Sequence, residues 1–177
     1  MQNITNKKNK IGILGGTFDP PHIGHLYISE IALKKLKLNH VVWLITKQNP
    51  LKQKAYFNIK ARINLAKIML KNEKKISVEY IEKNIKSKNT YDSLNHIKKK
   101  YIKIKLFFLM GEDSLVNFHK WKKWKKIPQL AKIIVFNRTN YSIKARKSVA
   151  AKKLKKKDIT YINNKRMDIS SSLIRKF

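Results

Sequence analysis

His22 and His25 stand three residues apart at the end of the run Gly15-Gly16-Thr17-Phe18-Asp19-Pro20-Pro21-His22-Ile23-Gly24-His25. On a helix that spacing puts both imidazoles on one face, where they can reach the same anion. Gly15 and Gly16 allow a sharp turn and close approach of backbone N–H groups to a ligand. The prolines stiffen the approach and leave His22 at a helix mouth, whose unpaired N–H groups and partial positive charge favour phosphate. Gly24 removes a side chain between the histidines and leaves room for a flat base. These groups suit phosphoryl chemistry, because in-line attack at phosphorus needs positioning and donors to the non-bridging oxygens more than covalent help. Imidazole supplies such donors, and charged imidazolium would supply more. A zinc reading lacks a third His, Cys or carboxylate at suitable spacing.

A second candidate cluster lies at the far end, Ile169-Ser170-Ser171-Ser172-Leu173-Ile174-Arg175. Ser170 can cap a helix whose first N–H groups, with the Ser170 and Ser171 hydroxyls, face phosphate oxygens. Arg175 follows about one turn later and can fork onto a polyphosphate.

Both clusters need a frame. Apolar runs read as strands at Lys10–Leu14, ended by Gly15-Gly16, then Val41–Thr46, Ile76–Ile81, Ile104–Met110, Lys132–Asn137 and Ile159–Ile162. Helical patterns fall between them at Ile23–Leu38, Asn58–Lys71 and Tyr91–Tyr101, in a short tryptophan-rich region, in a basic stretch Ile143–Leu154, and at Ser170–Lys176. Strands separated by helices favour a parallel sheet, because each crossover needs a helix. The expectation is a single-domain α/β fold, a Rossmann-like doubly wound parallel sheet with helices on both faces, running from residue 10 to 177. Such sheets take ligands beyond the carboxyl ends of the strands, where both motifs fall.

The chain has 177 residues, 42% of them hydrophobic, which is enough for a substantial core. No run approaches the ~20 apolar residues of a membrane helix. Residues 1–9 read as a flexible basic tail without the apolar middle of a secretory signal, so a soluble, cytoplasmic protein is expected. The absence of cysteine removes disulfides and thiolate metal sites. A net charge of +32 ordinarily suggests nucleic acid, yet only five of the 42 basic residues are arginine, the residue best suited to base-edge and phosphate recognition. Lys, Asn and Ile share A/T-rich codons, so drift in the coding DNA accounts for the lysines. Nucleic acid is therefore not the expected partner, although the positive field favours anionic substrates. The oligomeric state is open, a homo-oligomer included.

The first cluster resembles the signature of the nucleotidyltransferase superfamily, a glycine-rich FDP turn followed by HxGH, and the second resembles its ISSxxIR signature. His22-Ile23-Gly24-His25 also spells the HIGH sequence of class I aminoacyl-tRNA synthetases, whose KMSKS-like loop is not found here. Further ordered blocks look like bacterial nicotinate-nucleotide adenylyltransferases: Asn49-Pro50-Leu51-Lys52, Thr90-Tyr91-Asp92-Ser93-Leu94, Gly111-Glu112-Asp113-Ser114-Leu115 and Phe118-His119-Lys120-Trp121. The resemblance thus spans Lys10 to Arg175. Relatives usually continue beyond the arginine, so the packing of the last helix is the least transferable part.

By that resemblance, ATP and nicotinate mononucleotide would give deamido-NAD and pyrophosphate, with Mg²⁺ carried by the triphosphate. Thr17, His22, His25 and Arg175 would be the catalytic set. Gly15, Gly16, Gly24, Gly111, Asp113, Ser170 and Ser171 would bind the nucleotide, with Lys52, Thr90, Trp121 and Arg138 on the acceptor side. Asp92 reads better as a charge near a helix start than as a ligand contact, and Trp121 could equally be core. The rivals are an adenylyl- or cytidylyltransferase acting on phosphopantetheine or another phosphorylated acceptor and, from a different class, a nucleic-acid-binding protein on an inactive enzyme scaffold.

Overall fold

The computed structural model describes residues 9–49, 51, 53–138, 140–165 and 169–176. Six strands form one sheet: β1 Lys10–Gly16, β2 His40–Ile45, β3 Ile76–Glu79, β4 Lys105–Gly111, β5 Ala131–Phe136 and β6 Ile159–Ile162. Their order is β3-β2-β1-β4-β5-β6, with every neighbouring pair parallel. Between them run α1 Ile23–Lys35, α2 Ile59–Met69, α3 Glu82–Ile85, α4 Thr90–Lys100, α5 Glu112–Val116, α6 Ile127–Leu130, α7 Ser142–Arg146 and α8 Val149–Lys153, with α9 Ser171–Ile174 last. The expected doubly wound sheet is present.

The strands are nearly continuous apolar runs because both faces are covered. Alternate side chains feed two cores. Ile11, Ile13, Val42, Phe108 and Ile133 pack with Leu94 and Ile97 of α4 and Leu115 of α5. Leu14, Val41, Trp43, Leu109 and Ile134 pack with Ala32 of α1 and Ala66 of α2 on the other face. Chain direction across the sheet reverses between β1 and β4. Gly16 and Gly111 end these two strands, so whatever follows them faces one crevice.

Several boundaries differ from expectation, each for a local reason. β1 continues through Gly15 and Gly16, which pair with Leu44 and Ile45. The left-handed residue of the following turn is Phe18 (φ 49°), and no glycine among the described residues has positive φ. α1 stops at Lys35 because Leu38 N–H closes back on Leu33 C=O, 3.1 Å, over left-handed Lys37. β3 ends at Glu79, two residues short of the expected Ile81, and the short α3 begins at Glu82. The basic stretch is two helices, because Ser148 is extended and caps α8 by accepting from Ala151 N–H. The tryptophan-rich region is a pair of 3-10 turns, Phe118–Lys120 and Trp124–Lys126, parted by left-handed Lys123.

Candidate active site

Phe18 turns the chain out of β1 into the core. Only 1% exposed, it stacks on Trp43 of β2 with centroids 5.1 Å apart and lies 4.5 Å from the His25 ring. Trp43 Nε1–H donates to Ser29 Oγ (2.8 Å), and the Ser29 hydroxyl donates to His25 C=O (2.9 Å). The sheet thereby fixes the first turn of α1. His22 occupies the N-cap with extended backbone, and its N–H donates to His25 Nδ1 at 3.2 Å. That bond leaves the neutral His25 proton on Nε2, so this ring presents a donor there. The two imidazole centroids are 3.8 Å apart. Gly24 makes this possible: a Cβ there would come within 2.9 Å of both His22 Nδ1 and Ile169 Cγ2.

His22 is buried, and its Nδ1 has no hydrogen-bond partner among the described residues. Burial first, then the Arg138 guanidinium, lower its pKa from 6.5 to about 4. At neutral pH His22 is thus an uncharged imidazole. The expectation that imidazolium strengthens this site does not hold for His22 without an added anion.

The C-terminal cluster arrives at the same turn. Ser170 caps α9 by accepting from Leu173 N–H (3.1 Å), and the Ser171 hydroxyl donates to Pro20 C=O (2.8 Å). Arg175 Nη1 donates to the Asp19 carbonyl and lies 3.4 Å from Asp19 Oδ2, while Nη2 donates to Ser172 Oγ (3.3 Å). Asp19 itself is 5% exposed and accepts the N–H groups of Tyr56 and Phe57, each at 2.8 Å. Residues more than 150 positions apart therefore meet on the Asp19-Pro20 turn that launches the histidines.

Across the crevice, Asp113 Oδ2 pairs with Arg138 Nη1 at 3.0 Å. A Cβ on Gly111 would lie 2.5 Å from Asp113 Oδ1, so glycine is what lets that carboxylate fold over the strand end. Glu112, 2% exposed, accepts Arg138 N–H and the Ser142 hydroxyl, both at 2.8 Å. It pins the loop carrying Arg138. Sequence reasoning missed Glu112, Arg62 and Glu82 and took Asp19 only as a turn residue. Asp19 and Glu112 at least stand out as acids inside motifs, and Arg62 as an arginine where lysine is the habit, whereas Glu82 lies outside every motif.

On the acceptor side, Lys52 lies outside the described residues. Thr90 opens α4 and is half-buried. Beside it a cavity of about 720 Å³ is lined by Gln48, Ser87, Lys88, Asn89, Asp92 and Lys122, among others. Asp92 accepts from Ser87 Oγ (2.6 Å), Lys122 Nζ (3.2 Å) and Asn89 Nδ2 (3.4 Å). The Ser87 bond is the main cause holding its carboxyl below the usual range. Asp92 thus shapes the cavity wall. Trp121 sits edge-on to Phe118 (5.2 Å) and Phe108 (6.0 Å), half-buried at the border of one core. Thr17 is half-buried and Gly15 is exposed.

Among the described residues no three His, Asp or Glu side chains are grouped closely enough to hold a metal ion. No helix among them is long and apolar enough to cross a membrane.

The sequence pattern of the cytidylyltransferase-like family matches residues 13–177. A Pelagibacter ubique protein described as "Probable nicotinate-nucleotide adenylyltransferase" is 45% identical over 174 residues, covering 98% of this chain and 96% of its own. A Clostridium tetani protein of the same description is 36% identical over 171 residues, covering 94% and 85%. Among solved structures, Plasmodium falciparum nicotinic acid mononucleotide adenylyltransferase complexed with NaAD superposes with a TM-score of 0.75 at 22% identity, covering 96% of this chain and 83% of that one. That likeness carries the fold, and the sequence relatives carry the family. This chain belongs to the nicotinate-nucleotide adenylyltransferase family of cytidylyltransferase-like nucleotidyltransferases.

Proposed function

We propose that the chain transfers the adenylyl group of ATP to nicotinate mononucleotide, giving deamido-NAD and pyrophosphate in the cytoplasm. One observation carries this reading: Arg175 and Ser171 meet the Asp19-Pro20 turn directly before His22 and His25, at the reversal point of the sheet. A polyphosphate laid there would have imidazoles at one end and a guanidinium at the other.

A phosphate oxygen of the acceptor attacks the α-phosphorus of ATP in line. The new P–O bond forms as the bond to the β-phosphate oxygen breaks, and that electron pair leaves with pyrophosphate. An ionised acceptor phosphate needs no general base. Thr17, His22 and His25 hold the α-phosphate region, with His25 Nε2–H as a donor to the oxygens that gain charge. Gly15 and Gly16 allow close backbone approach, while Gly24 lets His22 and Ile169 close over the helix start. Arg175, with Ser170 and Ser171, receives the departing pyrophosphate: a guanidinium has five N–H donors, so one anchored on Asp19 still has N–H groups to offer. Asp113, with Gly111, accepts from ribose hydroxyls. Lys52, Thr90, Trp121 and Arg138 are assigned to the acceptor, and the cavity lined by Asn89 lies next to Thr90 at the start of α4.

The basic and imidazole groups at the crevice fit a metal that arrives on the triphosphate rather than one in a protein cage, and Mg²⁺ so carried would neutralise phosphate charge.

Pyrophosphate release from ATP, measured against a panel of acceptors, tests the proposal. The expected result is rapid release with nicotinate mononucleotide and much less with its nicotinamide counterpart. Equal turnover of phosphopantetheine, or none with either pyridine nucleotide, overturns it.

A further inference from the structure

Arg62 of α2 is the most deeply buried charge among the described residues, 1% exposed, and the chemistry above makes no use of it. Its guanidinium donates to four backbone carbonyls: Nε to Phe57 (3.0 Å), Nη1 to Thr17 (2.6 Å) and Thr46 (2.8 Å), and Nη2 to Lys47 (2.8 Å). Those carbonyls belong to the turn after β1, the loop after β2 and the segment leading into α2. Carboxylates complete the frame. Asp19 accepts the Phe57 N–H at 2.8 Å, and Glu82 accepts the Lys47 N–H at 2.9 Å as well as the Thr46 hydroxyl. Phe57 and Lys47 are each held at both N–H and C=O. Thr46 N–H also donates to Gly16 C=O (2.9 Å), tying the two strand ends directly. Burial lowers the Arg62 pKa, with Asp19, Glu82 and Tyr80 acting the other way. A guanidinium remains charged under that pressure.

We propose that Arg62 is a positioning residue for adenylyl transfer. Thr17 belongs to the turn that receives the triphosphate, and Lys47 precedes Gln48, which lines the acceptor cavity. By gripping the carbonyls of both segments, Arg62 sets the separation of the two substrates and hence the line of attack. The inference rests on the reaction proposed above. Only a planar fork can serve four carbonyls spread over three segments; an ammonium has three donors diverging from one nitrogen.

The test compares Arg62→Lys and Arg62→Ala with the wild type, using ATP and nicotinate mononucleotide. Arg62→Lys should lower kcat by about 10²-fold, the scale of a ~1 Å misplacement, while both KM values move little. Methylguanidinium added to Arg62→Ala should restore part of the lost kcat. A lowered Tm with unchanged kcat in the folded variants, or a loss confined to KM, overturns the proposal. Should neither variant fold, the wild type still answers. Its five arginines give a simple Nε–H spectrum, and the Arg62 resonance should shift on adding ATP alone and again with the acceptor alone. No shift with either overturns the inference. A wild type that makes no deamido-NAD overturns the underlying reaction instead, whereas an active wild type matched by Arg62→Lys overturns only the role of Arg62.

Discussion

Acid should weaken the fold through His22 specifically. An exposed histidine in the unfolded chain binds its proton near 6.5, whereas burial and the Arg138 guanidinium hold folded His22 near 4. Between those values the unfolded chain carries a proton that the folded chain refuses, so stability present above pH 6.5 is lost as pH falls towards about 4. The gap corresponds to about 3 kcal/mol for a side chain only 8% exposed. Against a total of about 5–15 kcal/mol for a typical domain, that loss is easily measured. His40, also lowered by burial first, contributes in the same direction. The informative quantity is therefore the difference between wild type and His22→Gln in urea unfolding across pH 7 to 4. The wild-type curve should fall more steeply, and parallel curves would refute the argument. A phosphate seated at His22 should also raise its pKa. ATP binding at about pH 5.5 should then take up protons, visible as a binding heat that depends on the buffer's ionisation enthalpy. A buffer-independent heat would place the phosphates elsewhere.

Gly24→Ala should push His22 off its position, because the new methyl lies 2.9 Å from His22 Nδ1 and from Ile169 Cγ2. A stability loss of about 1–3 kcal/mol is expected by urea titration, with a larger proportional loss of turnover. Gly111→Ala displaces the Asp113 carboxylate, which its methyl would meet at 2.5 Å. Loss of a charge-assisted contact worth roughly 1.5–3 kcal/mol should raise the ATP KM by about tenfold or more, and an unchanged KM would remove Asp113 from the ribose. His25→Ala should cut kcat by about 10²-fold or more, as loss of a transition-state donor does, and unaltered turnover would end its catalytic assignment.

The sheet was legible because buried parallel strands are written as apolar runs, such as Val41 to Ile45 and Leu106 to Met110, that nothing else in this lysine-rich chain resembles. Turns were harder. Left-handed positions that often carry glycine are filled here by Phe18, Lys37, Lys86, Lys123 and Asn140, so α1 lacked a visible stop, and the basic stretch breaks at Ser148, a serine with extended backbone. The site motifs were legible as clusters of unusual residues. What held them in place was not, because Arg62, Glu82 and Glu112 each act on backbone groups, and a carbonyl or N–H in need of a partner leaves no mark on the sequence. The stretch Lys120-Trp121-Lys122-Lys123-Trp124 read as helical, with Trp121 either stacking on the acceptor ring or packing in the core. Both tryptophans turn out to pack on Phe118 while Lys122 reaches Asp92.

The structure of this chain with a non-hydrolysable ATP analogue tests the central claim most directly. The account predicts the α-phosphate within hydrogen-bond reach of His25 Nε2 and the β- or γ-phosphate on the Arg175 guanidinium, with the ribose at Asp113. An analogue bound with its triphosphate touching neither His25 nor Arg175 would contradict it.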